Sequence, residues 1–201
     1  EILKEFKKFL KDISDRYKQL DTKLAFVSDE LKREDYISKR LPYDLSEDPC
    51  PAWDELVGTL YSPEEKHKIE WAIGSVVSGD SVWIQKFFVF YGDSGTGKST
   101  VLNIIDKLFQ GYTTSFDAKS IGMASKDFSL EPFKDNPLVA IQQDGDLSKI
   151  EDNTRLNSLV SHESIVINEK HKTQYNMSFC SMLFMGTNKP VKITDSRSGI
   201  I

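Results

Sequence analysis

An α/β architecture, with a mainly parallel sheet flanked by helices and a smaller helical region ahead of it, follows from three stretches of this 201-residue chain. The apolar run Phe87-Phe88-Val89-Phe90 is followed by a glycine-rich turn and reads as a buried strand. Val101 to Phe109 then carries apolar residues at helical spacing. Two later apolar runs, Pro137 to Ile141 and Phe179 to Met185, each end in polar residues, the form of parallel strands with loops at their carboxyl ends. Ahead of Ser81 the periodicity is helical throughout. Residues 1–80 are therefore expected to form a helical region. Residues 81–201 are expected to form the sheet-bearing core.

The elements follow in chain order. From Ile2 to Leu24 the residues Ile2, Leu3, Phe6, Phe9, Leu10, Ile13, Tyr17, Leu20 and Leu24 step by three and four, which predicts an amphipathic helix or helix pair. Its polar face carries both charge signs, so packing against protein is expected, not against a membrane. Leu41 to Pro51 is a proline-punctuated connector. In Ser62-Pro63-Glu64-Glu65 a serine N-cap, a proline at the first helical position and a glutamate three residues after the cap form a helix start. That helix is expected to stop at Ser78-Gly79-Asp80.

Composition narrows the class. With 39% hydrophobic and 28% charged residues this is an ordinary globular chain. Cys50 and Cys180 stand far apart without metal-spaced neighbours, which favours reduced thiols over a zinc site or a disulfide. No run reaches transmembrane length. The start, Glu1-Ile2-Leu3, has neither a methionine nor a signal pattern, and predicts a piece of a longer protein. A net charge of −5 argues against a bulk electrostatic grip on nucleic acid. A local excess exists nonetheless. Between Ser161 and Lys192, four lysines (Lys170, Lys172, Lys189, Lys192) and His171 face only Glu163 and Glu169.

Gly92-Asp93-Ser94-Gly95-Thr96-Gly97-Lys98-Ser99 satisfies the phosphate-loop pattern G-x-x-x-x-G-K-[ST], with Thr100 following it. Strand, glycine turn and helix in that order aim successive backbone N–H groups and the helix dipole at one spot. Lys98 can reach the β- and γ-phosphates, and the Ser99 hydroxyl can bind a bridging Mg²⁺. ATP with Mg²⁺ is the expected ligand, and the core is expected to be a P-loop nucleoside triphosphatase.

Such a site needs a metal-side acid and a group that senses the γ-phosphate. Pro137-Leu138-Val139-Ala140-Ile141-Gln142-Gln143-Asp144-Gly145-Asp146 has the form of a strand ending in acids. Asp144 is the candidate for ordering water on the metal, with Asp146 as the alternative and a turn-capping role for the pair as the bland reading. Gln142-Gln143 stand where an Asp-Glu pair often sits, so the water-activating base is not identified. Farther on, the strand Met182 to Met185 runs into Gly186-Thr187-Asn188. An Asn at a strand tip beside the phosphate loop can hydrogen-bond the attacking water or the γ-phosphate.

The ordered set GDSGTGKST, PLVAIQQDGD, NEKHKTQYNMSF and SMLFMGTNKP resembles superfamily 3 helicases, in particular the helicase half of phage and plasmid primase–helicases and their large-DNA-virus relatives. The segment from Leu41 to Asp80 is similar to the helical region ahead of that core, which implies linker helices and a collar-like segment within residues 1–80 and a core over 81–201 that is truncated at its C-terminal end. The resemblance implies an ATP-dependent motor that assembles as a homo-oligomeric ring, usually a hexamer. It implies translocation on single-stranded or forked DNA during replication of a phage, plasmid or mobile element, in a bacterial host cytoplasm. Gly92, Gly97, Lys98 and Ser99 match the first motif, Asp144 most nearly the second, and Asn188 the third. The family carries a basic, DNA-touching hairpin where Lys170, His171 and Lys172 fall; a solvated charged turn is the plainer reading.

Two departures limit what the resemblance implies. The Gln-Gln pair can weaken hydrolysis or relocate the base. The family's arginine finger would follow just beyond Ile201, with Arg155 and Arg197 as the substitutes within the chain, so this stretch alone is expected to be a poor ATPase. Two other functions remain open: a nucleotide-dependent DNA-binding or assembly module with little turnover, and a small-molecule P-loop kinase.

Overall fold

The computed structural model describes residues 3–8, 39–123, 128–146, 153–169 and 173–190. Contacts divide the chain into two compact units, Glu1–Ser46 and Glu47–Ile201. In the first, residues 3–8 are helical and solvent-exposed; the rest of the helix expected over Ile2–Leu24 lies outside the described residues. The second unit carries the sheets. It also takes in helices α1 (Pro51–Leu60) and α2 (Pro63–Ser78), so the contacts draw the division at Ser46–Glu47 and not at residue 80.

Among the described residues the strands form two sheets. Strands β1 (Phe88–Tyr91), β2 (Thr113–Ser115), β3 (Val139–Gln142) and β6 (Met182–Thr187) make a parallel sheet in the order β1-β6-β3-β2. Strands β4 (Ser164–Ile167) and β5 (Tyr175–Ser178) make an antiparallel pair. Helix α3 (Lys98–Leu108) connects β1 to β2. The short helices α4 (Ala118–Ile121) and α5 (Thr154–Val160) lie between β2 and β3 and between β3 and β4. The chain is thus α/β with a mainly parallel sheet flanked by helices, as its apolar runs predict.

Strand β6 is buried at every position, which is why its sequence reads as an unbroken apolar run. On one face of the sheet Phe88 and Phe90 pack on Phe184, with ring centroids 5.6 and 6.5 Å apart. Trp71 of α2 and Tyr61, at the end of α1, close over those rings. The opposite face presents Ala140, Leu183 and Met185 to a cluster that includes Leu156 and Leu159 of α5, Ile165 and Ile167 of β4, and Met177 of β5. Strand β4 alternates buried and exposed residues, because only its Ile165 and Ile167 side meets this cluster.

Helix α2 begins and ends where its sequence says it should. Ser62 Oγ accepts from the Glu65 backbone N–H, and the Glu65 carboxylate accepts from the Ser62 backbone N–H at 2.8 Å. That bond from the backbone holds the Glu65 carboxyl below its ordinary range. Gly79 closes the helix at φ 80°, a left-handed conformation suited to glycine. Ser62→Ala removes one partner of this reciprocal pair. It should cost about 1 kcal/mol and lower the melting temperature by about 2–4 °C, read by thermal denaturation. An unchanged melting temperature would show that the cap contributes nothing.

One tether has no counterpart in the sequence reading. The His162 ring faces the Phe179 carbonyl through Nδ1 at 2.7 Å and the Ser81 and Ile84 carbonyls through Nε2 at 3.1 Å each. It ties the start of the β4–β5 hairpin to the segment ahead of β1. The residue sits at φ 57°, in the left-handed region just past the end of α5.

Candidate phosphate-binding site

The loop from Gly92 to Gly97 leaves β1 and enters α3, and its shape depends on two glycines. Gly95 and Gly97 adopt φ 84° and 82°, the left-handed region that costs other residues energy. At Gly97 a Cβ would also stand 2.5 Å from Leu60 Cδ1, so the end of α1 rests on the loop. Thr96 Oγ1 donates to the Asp93 carbonyl at 2.9 Å and closes the turn from within. The Lys98 ammonium is nearly buried and donates to the Gly92 and Asp93 carbonyls at 2.7 and 2.6 Å. No side chain caps the start of α3. Its first N–H groups and its dipole therefore remain available to an anion.

The parallel register sets the opposite wall. Tyr91 pairs with Thr187, and Gln142 with Met185, so the loops after β1, β3 and β6 leave the same edge of the sheet. There they enclose a cavity of about 380 Å³ lined by Ser94 to Thr100, Gln143, Asp144 and Asn188. That size falls in the ordinary range for small-ligand pockets, about 300–1,000 Å³. Of the residues singled out from sequence, Ser94, Gly95, Thr96, Gly97, Lys98, Ser99, Thr100, Asp144 and Asn188 line this cavity. Gly92 and Asp93 hold the lysine behind it.

Each polar residue around β3 and β6 has a separate task. Asp146 is turned to Lys189, whose ammonium donates to its carboxylate at 2.6 Å. That bond, reinforced by the charges of Asp146 and Asp144, raises the Lys189 amine above its usual range. The Gln142 side chain accepts from the Ala118 N–H at 3.0 Å and so serves the start of α4. Gln143 donates to Asn103 Oδ1 of α3 at 2.9 Å. Thr187 is fully buried; its hydroxyl accepts from the Lys189 N–H at 3.0 Å and fixes the turn that presents Asn188. The roles of Gln143 and Asn103 were not marked by any motif, since their pairing spans two elements distant in sequence.

The basic run is placed differently. Strands β4 and β5 form the antiparallel hairpin expected around it, with Ile167 opposite Tyr175. Lys170, His171 and Lys172 themselves lie outside the described residues, as do Lys192 and Arg197. The Tyr175 ring packs against the core cluster, and its hydroxyl donates to the buried Glu169 carboxylate at 2.7 Å. Arg155 lies on α5 and does not line the cavity. Among the described residues no helix is long and apolar enough to cross a membrane.

The sheet order places β6, which leads to Asn188, between β1, which leads to the glycine loop, and β3, which leads to Asp144. The chain is similar to the apo C-terminal region of NrS-1, with a TM-score of 0.58 at 18% identity over 81% of this chain and 37% of that one. It is also similar to a JCV helicase, solved with a bound phenoxyphenyl acetamide, with a TM-score of 0.50 at 15% identity over 75% of this chain and 42% of that one. In sequence it is 26% identical over 115 residues to the DNA primase-polymerase of Nitratiruptor phage NrS-1. That stretch is 54% of this chain and 16% of the phage protein, so this chain spans a small part of its relative. These likenesses hold at the level of the fold. Residues 90–198 match the family of unknown function DUF5906, and the chain belongs to that family.

Proposed function

We propose that this chain is the ATP-driven motor portion of a DNA helicase of the superfamily 3 type, with a phage or plasmid primase–helicase as the subtype. One observation carries the reading. The phosphate loop, Asp144 and Asn188, drawn from three strands, converge on a single cavity at the carboxyl edge of the sheet. In this reading the α3 N-terminus and Lys98 bind the β- and γ-phosphates of ATP, the lysine exchanging its loop carbonyls for phosphate oxygens. Ser99 and Asp144 hold Mg²⁺, which supplies counter-charge to the phosphates when bound. Asn188 meets the γ-phosphate. Lys170, His171 and Lys172 contact single-stranded or forked DNA inside a homo-oligomeric ring, a hexamer, in the cytoplasm of a bacterial host.

The test is phosphate release from Mg-ATP with and without single-stranded DNA, measured on the assembled protein. A severalfold rise with DNA is expected. ATP binding without DNA-stimulated release would favour the second reading, a nucleotide-dependent DNA-binding or assembly module. The glutamines at the end of β3 motivate that alternative. Within the first reading, Asp144→Asn should lower turnover by about tenfold to a hundredfold, as expected for one charge-assisted contact of about 1.5–3 kcal/mol. Asp146→Asn should change it little, because Asp146 is engaged with Lys189. Equal losses from the two would move the metal-side acid off Asp144.

A further inference from the structure

Among the described residues the cavity wall contains one carboxylate, Asp144. If it serves the metal, as in the reading above on which this step rests, no second carboxylate among the described lining residues is left to draw a proton from the attacking water. The position where a catalytic glutamate would stand is Gln143, and this side chain is not loose. Its Nε2 donates to Asn103 Oδ1 on α3, the helix whose first residue is Lys98. One end of the amide is thereby fixed to the element that carries the phosphate loop. Among the described residues its Oε1 receives no hydrogen bond, and the residue lines the cavity beside Asp144.

We infer that Gln143 orients the attacking water by accepting its hydrogen bond, and that Asn103 is a positioning residue that holds Gln143 for this task. A carboxamide is not basic near neutral pH, so it aims the water without deprotonating it. The water oxygen forms a bond to the γ-phosphorus, and the bond from that phosphorus to the β–γ bridging oxygen breaks. The electron pair leaves with ADP. The water proton passes to a γ-phosphate oxygen, giving ADP and dihydrogen phosphate. The Gln-Gln departure is then a replacement of base catalysis by orientation, of the kind a glutamine performs in some GTPases.

The experiment compares two phosphate mimics bound with Mg-ADP. Tetrafluoroaluminate imitates phosphoryl transfer with the in-line water in place, whereas beryllium trifluoride imitates the bound γ-phosphate before attack. Gln143→Ala should weaken the tetrafluoroaluminate complex at least tenfold while changing the beryllium trifluoride complex less than twofold. Asn103→Asp, which still accepts from Gln143, should behave as the parent, and Asn103→Leu should show the selective loss. A merely structural pair would move both mimics together.

Tetrafluoroaluminate affinity within twofold of the parent in Gln143→Ala, or an equal fall for both mimics, overturns the inference and leaves the phosphate-site reading standing. A parent protein that binds neither mimic, nor Mg-ATP, overturns that underlying reading instead.

Discussion

Lys98→Ala should lower Mg-ATP affinity by about a hundredfold or more while leaving the fold in place. In the parent the ammonium is nearly buried behind the loop and already donates to two carbonyls at 2.7 and 2.6 Å. Its charge is thus held at the mouth of α3, where uncapped N–H groups favour an anion but carry only partial charge. Charge-assisted bonds contribute about 1.5–3 kcal/mol each, and losing 2.7 kcal/mol corresponds to about a hundredfold in affinity. The Gly92 and Asp93 carbonyls released by the substitution lie in a loop at the cavity edge, where water can replace the lysine. The melting temperature should therefore move by no more than a few degrees. Isothermal titration with Mg-ATP, alongside thermal denaturation, checks both halves. An affinity within threefold of the parent would remove the phosphate loop from the site.

The sequence made the loop readable because the phosphate-binding pattern is local. Strand, turn and helix follow one another between Phe88 and Leu108, and each has a periodic or glycine signal. The α2 start was legible for the same reason, since all partners of its capping box lie within four residues. The convergence of Asp144 and Asn188 was legible only as an ordered set of strand tips. Their meeting depends on β6 lying between β1 and β3, a placement that no local pattern encodes.

What sequence reasoning missed was long-range and polar. Gln143 reaches Asn103 across 40 positions, and His162 reaches Ser81 across 81. Glutamine, asparagine and a lone histidine carry no periodicity, so nothing in their neighbourhoods announces a partner. The choice between Asp144 and Asp146 was open for a similar reason. Asp146 is engaged by Lys189, a residue contributed by another strand's loop. Helices α1 and α2 were legible as helix, but not the compact unit to which they belong. Trp71, Tyr61 and Leu60 pack these helices onto the sheet and the loop, and apolar side chains on a helix do not say which neighbour they will meet.

Gly186→Ala should damage the fold and the site together, because this glycine is where β6 touches the loop after β3. A Cβ at residue 186 would stand 2.5 Å from the Gln143 carbonyl oxygen and 3.2 Å from Leu102 Cδ1. The Gln143 contact is backbone and cannot rotate away as a side-chain tip could. The Gly186 carbonyl, moreover, accepts from the Gly145 N–H at 2.7 Å, so the strand cannot retreat without breaking that bond. Relief must come from displacing residues 143–145, which carry Asp144. Overpacking of this kind costs about 1–3 kcal/mol, and each kcal/mol lowers the melting temperature of a chain this size by about 2–4 °C.

A fall of about 4–10 °C is therefore expected for Gly186→Ala, joined by a roughly tenfold loss of Mg-ATP affinity as Asp144 leaves the cavity wall, if about 1.4 kcal/mol of binding goes with it. Gly74→Ala is the matched control. It lies within α2 with nothing within 4 Å of a Cβ, so it should be neutral or stabilise by about 0.5–1 kcal/mol. If Gly186→Ala melts with the parent and binds Mg-ATP as tightly, then β6 and the loop after β3 are not locked together, and the geometry that joins Asn188 to Asp144 is looser than the 2.7 Å bond at Gly145 implies.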